Sequence, residues 1–253
     1  MKLATWNVNS LKVRLPQVLD WLAANPVDVL CLQETKQQDA DFPKEELQSA
    51  GYHSVYSGQK TYNGVAILSR EAARDVQMGI PGFEDEQKRV IAATFGDIRV
   101  VDVYIPNGQS VDSDKYRYKL DWLNALNGWL KEELVRFPRL ALLGDYNIAP
   151  EDRDVHDPAA WEGNVLVSEP EREAFRSLQA LGLTDSYRLF EQPEKSFSWW
   201  DYRMMGFRRN MGLRIDHILI SEPLVLQCKG CAIDKAPRKL ERPSDHTPVI
   251  AEL

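Results

Sequence analysis

Cysteine is scarce, three in 253 residues, which excludes a disulfide-stapled scaffold. The pair Cys228 and Cys231 in CKGC lacks the second CxxC or paired histidines of a structural zinc site, so both are read as reduced thiols near a strand. Long apolar runs are missing as well. No window of about eighteen apolar residues is present to cross a bilayer, and the opening MKLATWNVNS has no apolar leader core. A cytoplasmic protein without membrane association is expected. There is no Gly/Ser-rich linker, internal repeat or low-complexity tract, so one domain over residues 1–253 is expected. Basic excess is also absent: 31 Lys and Arg against 38 Asp and Glu leave a net charge of −7. That balance excludes coating of nucleic acid by bulk attraction, and any phosphate recognition must be local.

What is present is a series of short apolar runs at strand length. KLATWNV and VDVLCLQ flank a stretch, LPQVLDWLAAN, whose Leu15, Val18, Leu19 and Leu22 fall at helical spacing. Pro16 is placed in the first turn of that helix, and Asn25 before Pro26 stops it. Further strands are predicted at GVAILS, RVIAATF, IRVVDVY, LALLGDY, LRIDHILI and TPVIAEL. Helices are predicted across KYRYKLDWLNALNGWLKEELVRF and PEREAFRSLQALG, the second with Pro170 near its start and Gly182 beyond its end. Ile148 to Ser168 reads as one long functional loop. The mixture predicts an α/β fold.

Several runs end on polar residues. Asn7 and Asn9 follow TW, Glu34 ends LQE, Asp145 and Asn147 end GDYN, Asp216 and His217 sit in RIDH, and Asp245 and His246 sit in PSDH. Singly, each has a local explanation, because Asp and Asn bond nearby backbone at turns and a lone His is usually structural. Together they carry acids straight off buried runs, which is costly unless a cation or a paired partner offsets the charge. Carboxylate and amide oxygens suit magnesium or manganese, whereas zinc would call for more histidine or thiolate. Of the four histidines, His246 has a clear acid-linked place.

These residues resemble the exonuclease III family of DNA-repair nucleases, within the larger group that holds deoxyribonuclease I and the inositol polyphosphate phosphatases. The resemblance is carried in order by TWNVNSLKVRLPQVLDWL, LQETK, YNGVAILSR, VYIPNG, LLGDYNIAP, GLTDSYR, FSWWDYR, GLRIDHIL and PSDHTPV. It implies a four-layer sandwich of two packed mixed β-sheets flanked by helices, with the site where strand-end loops of both sheets meet. By the same resemblance Glu34 is the principal Mg2+ ligand, with Asn7 and Asp245 close by and Mn2+ a possible substitute. Asp145 orients or deprotonates the attacking water, and Asn147 helps hold water or phosphate. His246 contacts the phosphate with Asp216 holding its ring, and Tyr104 and Asn107 complete the cradle.

The partner so implied is double-stranded DNA with 3′ ends, nicks or abasic sites, bound by a monomer. Arg89, Lys119, Arg208 and Arg209 are expected on a basic DNA-binding face. Leu166, Trp199, Leu213 and Ile215 are expected to line a sugar pocket, with Met204, Met205 and Phe207 as an apolar wedge beside it. One position departs from the family. Six residues before Arg172, where abasic-site-cutting members carry a small residue, stands Leu166. Action at 3′ ends is therefore expected, with abasic incision reduced. Two alternatives stay open: a phosphatase or phosphodiesterase for a non-DNA phosphate ester on the same fold, and a non-catalytic nucleic-acid-binding module.

Overall fold

A computed structural model describes residues 1–253. In chain order the first half runs β1 (Lys2–Asn7), α1 (Leu11–Ala24), β2 (Val29–Gln33), α2 (Lys44–Ser49), β3 (His53–Ser57), β4 (Val65–Ser69), β5 (Arg74–Met78), β6 (Val90–Phe95), β7 (Ile98–Tyr104) and α3 (Asp114–Arg136). The second half runs β8 (Leu140–Asp145), α4 (Pro158–Trp161), α5 (Glu169–Ala180), β9 (Leu183–Asp185), β10 (Trp199–Trp200), β11 (Gly212–Leu213), β12 (Asp216–Ser221), α6 (Glu222–Val225), β13 (Gly230–Ile233) and β14 (Val249–Glu252). One six-stranded sheet has the order β13-β14-β1-β2-β4-β3, the other β5-β6-β7-β8-β12-β9. Each is mixed, with one parallel pair, β1 beside β2 and β7 beside β8. No helix is long and apolar enough to cross a membrane.

Strand periodicity explains the layers. Alternate residues of a strand face opposite sides, and both faces are covered here, so the central strands read as continuous apolar runs. Leu3, Val29, Cys31, Val100, Ala141, Leu143, Ile218 and Ile220 fill the space between the sheets. Ala4, Trp6, Leu30 and Leu32 turn the other way and pack with Leu11, Val18 and Leu22 of α1. On the far side, Val101, Val103, Leu142 and Leu219 meet Trp122, Leu126 and Leu130 of α3 and Phe175 and Leu178 of α5. The result is the expected helix, sheet, sheet, helix sandwich.

Three sequence expectations need adjustment. Helix α1 begins at Leu11, so Pro16 sits inside it rather than in its first turn. The run LRIDHILI is split: Leu213 pairs with Trp199 in the small β10-β11 ribbon, while β12 starts only at Asp216. The Ile148–Ser168 stretch carries a 3-10 turn at Asp152–Asp154 and the short α4. The three cysteines are free, as expected, and Cys231 lies on β13 against the inter-sheet core.

Candidate active site

The rows of side chains that face between the sheets end in polar residues at one rim. Leu3 and Thr5 are followed by Asn7, Val29 and Cys31 by Gln33, Val100 and Asp102 by Tyr104, and Ala141 and Leu143 by Asp145. The row Ile220, Ile218 ends on Asp216, because β12 runs the opposite way. Register aligns these ends, with Asp145 opposite both Tyr104 and Asp216 across its two neighbouring strands. Gly144 makes this approach possible: at φ 150, a Cβ there would stand 1.9 Å from the Val103 carbonyl oxygen.

Immediately beyond the strands the backbone turns left-handed at Asn9, Glu34, Lys36 and Asn147, with φ between 43 and 53. Asn tolerates this region, whereas Glu and Lys rarely adopt it. Such local strain gathers where a side chain must be aimed.

The aimed groups converge. Asn7 Nδ2 donates to Glu34 Oε1 at 2.9 Å and to Asp145 Oδ2 at 2.8 Å, joining carboxylates from the two sheets. Asp145 Oδ1 accepts the Asn147 backbone N–H at 2.9 Å, and Asn107 Nδ2 donates to Asn147 Oδ1 at 3.1 Å. His246 Nδ1 is held by Asp216 Oδ2 at 2.9 Å, leaving Nε2 3.7 Å from Asp145 Oδ2. Ligand-type atoms of Glu34, Asp145 and His246 lie within 4.8 Å of one another. Ser244 Oγ donates to the Asn7 carbonyl and accepts the His246 N–H, and Ser198 Oγ accepts the N–H groups of Ile215 and Asp216.

Electrostatics divide the roles. Burial pushes the Asp145 carboxyl up to about 7 against the pull of the His246 imidazolium. Burial opposes charge on His246 too, but Asp216 and Asp145 raise it to about 10. The ring is therefore cationic at neutral pH beside a carboxylate poised near it. Glu34 is desolvated, yet Lys36 and Asn7 hold it below its ordinary value. Burial raises the Tyr104 phenol, and the negative charge of Glu34 adds to the rise.

A divalent cation fits the oxygens around Glu34. Lys36 Nζ already stands 2.9 Å from Glu34 Oε2 and 2.5 Å from Asn9 Oδ1, a positive charge among oxygen donors of the type a hard cation selects. Asp245 lies alongside, but its Oδ1 accepts from Asn9 and its Oδ2 from Trp199 Nε1, both at 3.0 Å.

The outlying residues divide. Arg208 and Arg209 are exposed, next to the exposed Met204 and Met205. Arg89 is half-buried, its guanidinium 4.6 Å from the centroid of the Tyr104 ring. Lys119 corrects an expectation: its side chain is 0% exposed and ion-paired with Glu171, so it presents no charge to a ligand surface. Leu166, Leu213 and Ile215 are brought together with Ala149, Val155 and Val167, and Trp199 packs against them. Leu166 is 4% exposed and held at φ 77. The pocket region is thus a closed apolar cluster. Sequence reading offers Lys36 only as one of the cations near the duplex, not as a partner of Glu34, and it misses Ser198 and Ser244, although these stand in SFSW and PSDH, where a short hydroxyl is suited to cap a turn.

Two mixed sheets whose aligned strand ends present carboxylates, amides and an acid-held imidazolium in one mouth define a phosphoester hydrolase. Residues 4–246 match the Endonuclease/Exonuclease/phosphatase family. The chain is 36% identical over 266 residues to exodeoxyribonuclease III of Haemophilus influenzae, covering 100% of both. Among solved structures, the 3′ phosphatase NExo from Neisseria, bound to a product DNA hairpin, superposes with a TM-score of 0.98 at 50% identity, covering 100% of this chain and 99% of that one. An AP endonuclease from Archaeoglobus fulgidus gives a TM-score of 0.95 at 40% identity, covering 99% and 98%. The chain belongs to the exonuclease III branch of the endonuclease/exonuclease/phosphatase family.

Proposed function

We propose that this protein is a Mg2+-dependent DNA-repair phosphodiesterase that degrades double-stranded DNA from 3′ ends and clears blocking groups from them. The observation that carries the reading is the convergence of Glu34, Asp145 and the Asp216-held His246 within 4.8 Å. The similar 3′ phosphatase and 3′-5′ exonuclease from Neisseria extend it to substrate. Glu34 and Asn7 would hold the cation, with Asp245 supporting them through Asn9. When bound, it would offset negative charge growing on the phosphoryl oxygens.

The chain's own groups do the rest. Asp145, fixed by Asn7 and the Asn147 N–H, orients and deprotonates a water for in-line attack on phosphorus, the P–O3′ bond breaks opposite the attacking oxygen, and the departing 3′-oxygen takes up a proton from solvent. The free Nε2 of cationic His246 donates to a non-bridging phosphate oxygen, and Asp216 keeps the ring oriented. Tyr104, Asn107 and Asn147 complete the cradle. Arg208 and Arg209 contact the duplex backbone, with Met204 and Met205 beside them. Leu166 fills the space an extruded abasic sugar would take, so incision at internal abasic sites is restricted.

A panel of end-labelled duplexes, blunt, recessed, nicked, 3′-phosphorylated and internally abasic, assayed with and without chelator, tests this. Magnesium-dependent shortening and 3′-phosphate release are expected. Inertness toward every 3′ end, or full activity in chelator, would remove the proposal.

A further inference from the structure

A buried ion pair between Lys119 and Glu171 lies behind the phosphate cradle. Lys119 Nζ, on α3, spends its three protons on Glu171, on the Asn147 carbonyl at 2.7 Å and on the Asn107 carbonyl at 3.2 Å. Glu171, in the first turn of α5, accepts the Leu166 N–H at 3.0 Å on one oxygen and the Ser168 N–H at 3.2 Å on the other. The hydroxyl of Ser168 bonds Glu171, and Tyr116 Oη lies 2.7 Å from it. Gly108 lies flush on this assembly, since a Cβ there would stand 3.2 Å from Lys119 Cδ. Both side chains are 0% exposed.

We propose that Lys119 and Glu171 are positioning residues that lock the Asn107 loop, the Asn147 turn and the Leu166 loop into one rigid unit behind the scissile phosphate. The inference rests on the hydrolytic reading above. A buried ion pair is a poor source of stability, because desolvation cancels most of its attraction. What this one supplies is geometry. A single ammonium bonds the backbone of two residues whose side chains are themselves joined, Asn107 Nδ2 to Asn147 Oδ1. Neither member can shift without breaking a bond to the same nitrogen. The carboxylate on its other side holds the N–H of a leucine in a left-handed conformation. Lys119 thereby acts on the reaction without touching DNA.

The test is kinetic. In Lys119→Met, kcat on a 3′-phosphorylated duplex should fall roughly 10- to 100-fold, the effect of about 1 Å misplacement of reacting groups. The Kd for DNA in chelator should stay within about threefold, with an unchanged salt slope. Glu171→Gln should lower kcat in the same direction. The double variant should be little worse than Lys119→Met alone, since the pair acts as a unit. Lys119→Arg, which keeps charge and donors, should recover part of the rate, and it carries the test with Glu171→Gln if Lys119→Met does not fold. All rates are compared well below each variant's Tm, where a role confined to stability would leave kcat intact. Unchanged kcat in the folded variants overturns the proposal. So does weakened DNA binding with a salt slope shallower by about one, the signature of a direct phosphate contact. Failure of the wild-type chain on every 3′ end would instead remove the functional reading beneath it.

Discussion

Replacing Leu166 by glycine should leave the protein at least as stable as replacing it by alanine, although glycine removes more of the side chain. Leu166 is 4% exposed, packed with Ala149, Val155, Val167, Leu213 and Ile215, so truncation to alanine should cost about 3 kcal/mol in lost packing. Removing the last methyl should cost about 0.8 kcal/mol more. Against that, Leu166 sits at φ 77, and releasing an L residue from the left-handed region returns about 1–2 kcal/mol. The two effects offset or favour glycine. Both variants should melt below the wild type, by roughly 4–12 °C for a chain of this size. Both should also nick a duplex carrying one internal abasic analogue at least about tenfold faster than the wild type, because the side chain no longer fills the sugar's place. Thermal unfolding and a single-site nicking assay decide it. A glycine variant less stable than alanine by about 1 kcal/mol or more would refute the backbone argument. Efficient nicking by the wild type, or none by either variant, would refute the pocket argument.

Asp145→Asn should retain DNA affinity within about threefold while losing roughly 10²–10⁴ in kcat, read by anisotropy and product release; near-normal turnover would take the carboxylate out of water activation. His217 is buried between Arg214, which donates to its Nδ1, and the Ile148 carbonyl, and burial lowers it to about 4. The unfolded chain therefore takes up a proton near pH 6.5 that the folded one refuses, and stability should fall by up to about 3 kcal/mol as pH drops from about 6.5 to 4. His217→Gln should flatten that slope in urea melts across the range, and an identical slope would assign the acid sensitivity elsewhere. Asp102, fully buried between the sheets and accepting from Gln33 Nε2 at 2.7 Å, is raised well above the carboxylate range by burial. Its ionisation in the unfolded chain favours unfolding above about pH 4, so Asp102→Asn should raise Tm more at pH 8 than at pH 5. Equal shifts at both pH values would show the carboxyl to be ionised in place.

The acids and amides of the site were legible because they terminate apolar runs, and period-two alternation places the last inward-facing residue of each run at a common rim. The exposed strand β5 and the short β9 and β13 were not legible. Tertiary pairing makes them, not a continuous apolar pattern. The split of LRIDHILI hides in sequence because Arg214, in mid-run, is buried by a partner set drawn from elsewhere in the chain, Asp154 and Asp185. Lys119 was misplaced by its charge, yet its position was informative: Tyr116, Lys119, Leu123, Leu126 and Leu130 share one buried stripe of α3. A cation on an apolar stripe signals an internal partner, and no local pattern names Glu171 as that partner across 52 residues.

The amide of Asn7, shared between Glu34 on one sheet and Asp145 on the other, makes catalysis a gauge of how the two layers sit upon each other. A slip of one sheet by about 1 Å would slow the enzyme by up to roughly 100-fold before it registered as unfolding. Within the seam the Gln33 amide donates to Thr5 of its own sheet and to Asp102 of the other, a second buried bond that holds the two layers in the same alignment.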